Sequence, residues 1–192
     1  MRDYELRAID FIKEICPFIE EDLTSPFVVR QNVAFYNMKY NRKVVVRSGC
    51  ARIALITSDY VVKFDYDPEE VESLGGCQNE MYLYDIAERE GYAYLFAKIS
   101  HVQWHGHDFY IMPRVHGIND SNGRGWQYMT PKERAWCKAH SLTDLHCGNF
   151  GFREGRICII DYGFQEDLVE EYDSSSYESE SYYDGGEEVS HS

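Results

Sequence analysis

The chain has 192 residues, 44% of them hydrophobic, and a formal net charge of −14. That length suits one domain, or two small lobes sharing a cleft. Eleven Asp and Glu follow Arg156 with no Lys or Arg among them, and removing them from the total leaves about −3 for residues 1–156. The acidity is therefore a property of the C-terminal tail, and nucleic-acid binding through a basic face gets no support.

No run of about 18 apolar residues occurs, so no membrane span is expected. The N-terminus, "MRDYELRAIDFIKEIC", is charged throughout and does not read as a secretory signal. Six cysteines without a CxxC pair point to reduced, mostly buried thiols and a cytoplasmic location.

Four segments are expected: an N-terminal helical extension (1–26), a β-rich half (27–115), a small C-terminal half (116–170) and an acidic tail (171–192). In the first, Leu6, Ile9, Ile12 and Ile15 predict an amphipathic helix over 3–16, broken by "TSPF" at 24–27. Residues 27–30, 33–36 and 43–47 read as strands. Residues 51–57 and 60–64 read as a hairpin about Ser58-Asp59. The period then changes, and 79–90 predicts a helix with Met81, Tyr84, Ile86 and Ala87 on its packed side. Strands at 96–102 and 108–112 flank "WHGH". A polar, Gly-containing loop follows. Thr130, Pro131 and Glu133 then start a short helix with a capping box, ending near His140. From Tyr172 the Ser, Tyr, Asp, Glu and Gly composition predicts disorder.

Several of these elements carry residues that phosphoryl transfer needs: a cation for phosphates, a partner for that cation, oxygen ligands for magnesium and a proton acceptor. Lys63 lies in the apolar strand "YVVKF", where an unpaired ammonium is costly. Glu80 on the next helix is a plausible partner, the alternative being a solvent-facing Lys63 on a strand edge. Asp144 and Asn149 bracket "DLHCGN". Asp144 would accept a hydroxyl proton, and Asn149 would offer magnesium its side-chain oxygen. Asp161 ends the apolar run "ICII", presents a carboxylate for the same ion, and is followed by Gly163, which lets the chain turn away.

In order, "VVKF", "NEMYLY", "MPRV", "LTDLHCGN" and "IDYG" resemble the protein-kinase-like fold across roughly 44–164. "DLHxGN" is most similar to the branch holding aminoglycoside and choline phosphotransferases and other atypical kinases. Compact kinase-like proteins of this kind are also encoded by tailed bacteriophages. The resemblance implies an α+β, minimal two-lobed fold with an antiparallel β-sheet N-lobe and a truncated C-lobe. It implies ATP and Mg2+ as cofactors, with Lys63, Glu80 and Asp144 catalytic and Asn149 and Asp161 on the metal. Nucleotide contacts would come from Lys63, from Gly49 and Arg52 in the phosphate-covering loop, and from Met112 and Val115 in the hinge.

The departures are specific. The covering loop "RSGCARIAL" holds Gly49 alone and carries Arg52, which would either contact phosphate or block the site. Thr143 stands where an Arg usually precedes the catalytic Asp, so control by an activation-loop phosphate is not expected. The usual peptide-docking platform is not expected from residues 116–170. The expected activity is ATP- and Mg-dependent phosphate transfer, to the chain itself or to a host protein. The alternatives are a catalytically impaired binding module directed at a host factor, and a small-molecule kinase. Among weaker signals, His101, His105 and His107 lie close enough to bind metal, against the favoured reading of a hairpin tip. His146 either orients Asp144 or, as favoured, supports the loop. The Tyr- and Ser-rich tail is an autophosphorylation substrate, a partner-binding or DNA-mimicking acidic segment or, as favoured, a solvating segment. Nothing near Cys50 or Cys147 suggests an activated thiol.

Overall fold

The first helix, α1, covers Asp3–Ile19, and the Glu5 carboxylate caps it by accepting the Arg2 N–H at 2.6 Å. It continues through Pro17, beyond the expected end at Cys16. Its buried side is Tyr4, Ala8, Phe11, Ile12, Ile15, Cys16 and Ile19. Leu6 is instead 51% exposed, and Ile9 is half-buried. A strict three-residue ladder drifts by about 60° per step around a helix of 3.6 residues per turn, so Leu6 and Ile15 face opposite sides. The computed structural model describes residues 2–20, 22–67, 76–117, 125–142 and 145–162. Thr143, Asp144, Gly163 and the acidic tail lie outside them.

Residues 27–30 and 33–36 are not strands. They belong to α2, Pro26–Tyr40. Ser25 accepts the Val28 N–H at 3.4 Å, Pro26 occupies the first turn, and Asn41 closes the helix in the left-handed region at φ 51°. β-branched valines favour strands, but Val29, Val33 and Tyr36 recur at helical spacing and bury one face against α1. The Asn37 amide then binds the Val44 N–H and carbonyl at 2.9 and 2.8 Å, turning the chain into the sheet.

Five strands follow: β1 Val45–Ser48, β2 Arg52–Ile56, β3 Tyr60–Asp65, β4 Ser100–Trp104 and β5 His107–Pro113. They form an antiparallel sheet in the order β1-β2-β3-β5-β4. Between β3 and β4 runs α3, Cys77–Glu90; its buried residues are Cys77, Glu80, Leu83, Tyr84 and Ala87, with Met81 and Ile86 only partly covered. A second, three-stranded sheet joins β6 His116–Gly117 to the hairpin β7 Phe150–Arg153 and β8 Arg156–Ile159. Helix α4, Pro131–Ala139, starts at the expected capping box, with Thr130 Oγ1 accepting the Glu133 N–H at 3.3 Å. The described residues thus form an α+β protein of four helices, a five-stranded antiparallel sheet and a smaller sheet built on a hairpin.

Strand alternation splits the interior in two. Ile53, Leu55, Val62, Phe64, Phe109 and Ile111 face α1 and α2. Tyr110 and Met112 face the other way, into a core with α3, α4 and the second sheet. The Ala97 N–H donates to the Ile159 carbonyl at 2.8 Å and stitches the second sheet to the chain entering β4. No helix among the described residues is long and apolar enough to cross a membrane.

Candidate nucleotide site

Lys63 alternates with Val62 and Phe64, so it points away from α1 and α2 and towards α3. Asp65, the last residue of β3, accepts the Cys77 N–H at 3.2 Å through both carboxylate oxygens. A carboxylate on exposed N–H groups stabilises a helix start. It also sets α3 directly after β3 in space, so Glu80 in the first turn faces Lys63. The Lys63 ammonium donates to Glu80 Oε1 at 2.8 Å and Oε2 at 3.0 Å. Lys63 is 9% exposed and Glu80 0%. The solvent-facing alternative for Lys63 is thereby ruled out.

Arg52 is not in a loop, as expected, but is the first residue of β2, opposite Asp65 in the ladder. Ala54, two residues on, pairs with Lys63, so Arg52 shares the Lys63 face of the sheet. Its guanidinium reaches Glu80 Oε1 at 2.9 Å and Asp161 Oδ1 at 2.7 Å. The segment leading out of β8 completes the cluster. Lys63 donates to the Ile160 carbonyl at 2.8 Å, and the Tyr162 N–H donates to Glu80 Oε1 at 3.3 Å. Two cations and two carboxylates are therefore joined across β2, β3, α3 and the end of β8.

The charges in this cluster respond to burial and to one another. Desolvation pushes the Glu80 carboxyl up and outweighs Lys63 and Arg52, which pull it down. Desolvation also works on Asp161, but Lys63 and Arg52 overcome it and hold that carboxyl below its usual range. For Lys63, the loss of water is outweighed by Glu80 and Asp161, and the ammonium is held above its ordinary value. Asp161 stays the accessible member, with 41% of its side chain open.

A cavity of about 260 Å³ opens beside the cluster. Ala54, Ile56, Val61 and Met112 give it apolar walls, and Lys63 and Asp161 give it a charged end. Val115 and Gly148 also line it. Larger depressions lie elsewhere on the surface of the described residues, and those are not lined by Lys63, Glu80 or Asp161. Asn149 is buried rather than on the cavity wall, but its carbonyl accepts the Ile160 N–H at 2.8 Å, which holds its turn against the base of Asp161. His146 Nδ1 accepts the Gly148 N–H at 3.0 Å and shapes that turn, in line with a supporting role. A Cβ on Gly148 would lie 2.8 Å from the His146 imidazole, so a side chain there would displace that ring.

Gly49 sits in the turn between β1 and β2, outside the cavity wall. Its N–H donates to the Arg52 carbonyl at 2.9 Å, and the Tyr66 hydroxyl reaches the carbonyls of Gly49 (3.0 Å) and Cys50. A Cβ there would meet nothing within 4 Å, so packing does not demand the glycine.

The residues brought together are thus Lys63, Glu80, Arg52 and Asp161, with Met112 and Val115 across the cavity. Asp144 lies outside the described residues. The sequence reading missed Asp65 as the cap that aims Glu80, and Arg52 as the link to Asp161. Asp65 lies 12 residues before Cys77, so no cap signal stands next to the helix. The second pair is 109 residues apart and had no signal either. Comparison with models of known protein families gives no match, and comparison with individual curated proteins gives none either.

Proposed function

We propose that the chain is an ATP- and magnesium-dependent phosphotransferase built on a minimal protein-kinase-like fold. The five-stranded sheet with α3 serves as the N-lobe, and the second sheet with α4 as a reduced C-lobe. The observation that carries this reading is the buried Lys63–Glu80 pair, hydrogen-bonded to the segment 160–162 and set beside an apolar slot. A buried ion pair is an inefficient way to stabilise a fold, since apolar residues of similar size usually do as well. Its position at the charged end of a cavity gives it a use.

In this reading, the base of the nucleotide enters between Ala54, Val61 and Met112, and Val115 borders the slot. About 260 Å³ suits a base better than a whole nucleotide, because drug-sized ligands occupy roughly 300–1,000 Å³. The phosphates extend towards Lys63, whose ammonium neutralises them while Glu80 fixes its position. Gly49 leaves the covering turn bare of side chain, so backbone approaches phosphate closely. Asp161, with Asn149 in the turn behind it, would hold magnesium through hard oxygen donors, and that ion would supply charge neutralisation for the phosphates. Asp144 takes the acceptor's hydroxyl proton. The acceptor is the chain itself or a host protein, and a small-molecule alcohol is the alternative.

One observation favours a second reading, that of a nucleotide-binding or protein-binding module without transfer. Arg52 holds Asp161 Oδ1 at 2.7 Å and so competes with a metal for that carboxylate. Incubation with magnesium and γ-labelled ATP, alone and with cell lysate, separates the readings. Label transfer that Asp161→Asn abolishes supports the phosphotransferase. Nucleotide binding without transfer supports the module.

A further inference from the structure

A second cluster lies at the opposite end of α1, on the far side of the sheet from the nucleotide slot. Cys16 is fully buried in the last turns of α1, and Glu20 caps the same helix four residues on. Residues four apart share a helix face. His105 comes from the tip of the β4–β5 hairpin, where it adopts φ 50° and Gly106 adopts φ 83°. This double left-handed turn folds the hairpin tip back over the end of α1. His105 Nδ1 then lies 3.0 Å from Glu20 Oε2, and Cys16 Sγ donates to the same oxygen at 3.5 Å.

We propose that Cys16, Glu20 and His105 form a binding site for a zinc-like divalent metal. Their ligand atoms all lie within 4.8 Å of one another. Tetrahedral zinc has bonds of about 2.3 Å to sulfur and about 2.0–2.2 Å to nitrogen and oxygen, which sets neighbouring ligands roughly 3.4–3.6 Å apart. The triangle needs adjustments of well under an ångström on its two short sides. One thiolate, one imidazole and one carboxylate form a set that favours zinc over magnesium or calcium. Among the described residues, no other group of three His, Cys, Asp or Glu side chains converges in this way.

The surroundings fit such a site. His105 stacks on Trp104 with ring centroids 4.9 Å apart and 15° between planes, which fixes the imidazole. Orientation of a ligand ring by its neighbours is a regular feature of metal centres. A depression lined by Glu20, His107 and Asp108 lies alongside, leaving room for water as a fourth ligand. Binding replaces the thiol proton: the Cys16 S–H bond breaks, the sulfur–metal bond forms, and the proton passes to solvent by way of the Glu20 carboxylate. The metal would clip the hairpin tip to α1, and the proposal is independent of any chemistry at Asp161.

The test is a titration of the reduced, metal-stripped full chain with Co2+. The expected result is one equivalent bound, with intense visible bands of tetrahedral cobalt and a near-ultraviolet thiolate charge-transfer band, all bleached by one equivalent of Zn2+ and unaffected by Mg2+. The bands should persist in Cys50→Ala and disappear in Cys16→Ala. His105→Ala, at a side chain 54% exposed and so safe for folding, should weaken zinc binding at least tenfold. Absence of the thiolate band, its survival in Cys16→Ala, or unchanged zinc affinity in His105→Ala would each overturn the site.

Discussion

Glu80→Gln tests whether the four-charge cluster is held together as its geometry indicates. Glu80 Oε1 now accepts from Lys63, Arg52 and the Tyr162 N–H, and Oε2 accepts a second time from Lys63. Glutamine keeps one acceptor oxygen and turns an NH2 group towards a cation, so a donor meets a donor. The cluster also changes from two cations with two anions to two cations with one. Breaking a buried ion pair by removing one partner costs about 3–5 kcal/mol. The lower end applies here, because Arg52 keeps Asp161 and the Arg52 and Lys63 side chains retain 19% and 11% exposure. A loss of about 3 kcal/mol, at a urea dependence of about 2 kcal/mol per molar, lowers the unfolding midpoint by roughly 1.5 M. Glu88→Gln, on the exposed side of the same helix, serves as control. The double variant Lys63→Met/Glu80→Leu should recover much of the loss, since apolar replacement of a buried pair is often neutral. A Glu80→Gln midpoint within about 0.3 M of the control would refute the reasoning.

Three further outcomes are expected. A Cβ on Gly151 would lie 2.5 Å from Val115 Cγ2 and 2.7 Å from the His116 carbonyl, so Gly151→Ala should cost about 1–3 kcal/mol and lower the melting temperature by several degrees; an unchanged melting temperature would contradict this packing. The Asp161 carboxyl titrates below its ordinary value of 3.8, so its stabilisation is complete above about pH 4 and is lost as pH falls through the lowered value. Asp161→Asn should therefore show less loss of stability between pH 5 and pH 3 than the parent, and an identical acid limb would count against the Arg52 and Lys63 contacts. Gly49→Ala should leave the unfolding free energy within about 0.5 kcal/mol of the parent, while weakening the proposed ATP binding severalfold by calorimetry; equal affinity would remove Gly49 from the phosphate site.

The site was more legible than the fold around it. Lys63 stood out because an ammonium inside "YVVKF" needs a partner, and Glu80 was the acidic residue in the first turn of the next helix. The β2–β3 hairpin and the capping box before α4 were readable from local turn and cap chemistry. Helix α2 was not, because Val28, Val29 and Val33 carry strand propensity. Its start signal, Ser25 followed by Pro26, was taken only as the break after α1. The stripe on α1 was misread because three-residue spacing resembles a helical face over one turn and leaves it over three. Arg52 looked like a loop residue because the turn before β2 is shorter than its Ser, Gly and Cys suggest. Its contact with Asp161 closes across most of the chain and leaves no local trace. Cys16, Glu20 and His105 join by the same kind of distant closure, so the histidines alone pointed only to a hairpin tip.

Helix α3 answers to two masters in this architecture. Its N-terminal end is pegged to the large sheet by polar bonds through Asp65, Lys63 and Arg52. Its apolar side, Leu83, Tyr84 and Ala87, belongs to the core beneath the small sheet. Polar pegs exchange partners readily when a rival anion arrives, whereas packed side chains move as a block. A polyphosphate that draws Lys63 or Arg52 from Glu80 would thus release one end of a lever whose fulcrum is the second core. A ligand that loosened those pegs would leave α3 held by its apolar side, and the exposed Tyr82 on that helix would report a shift in it.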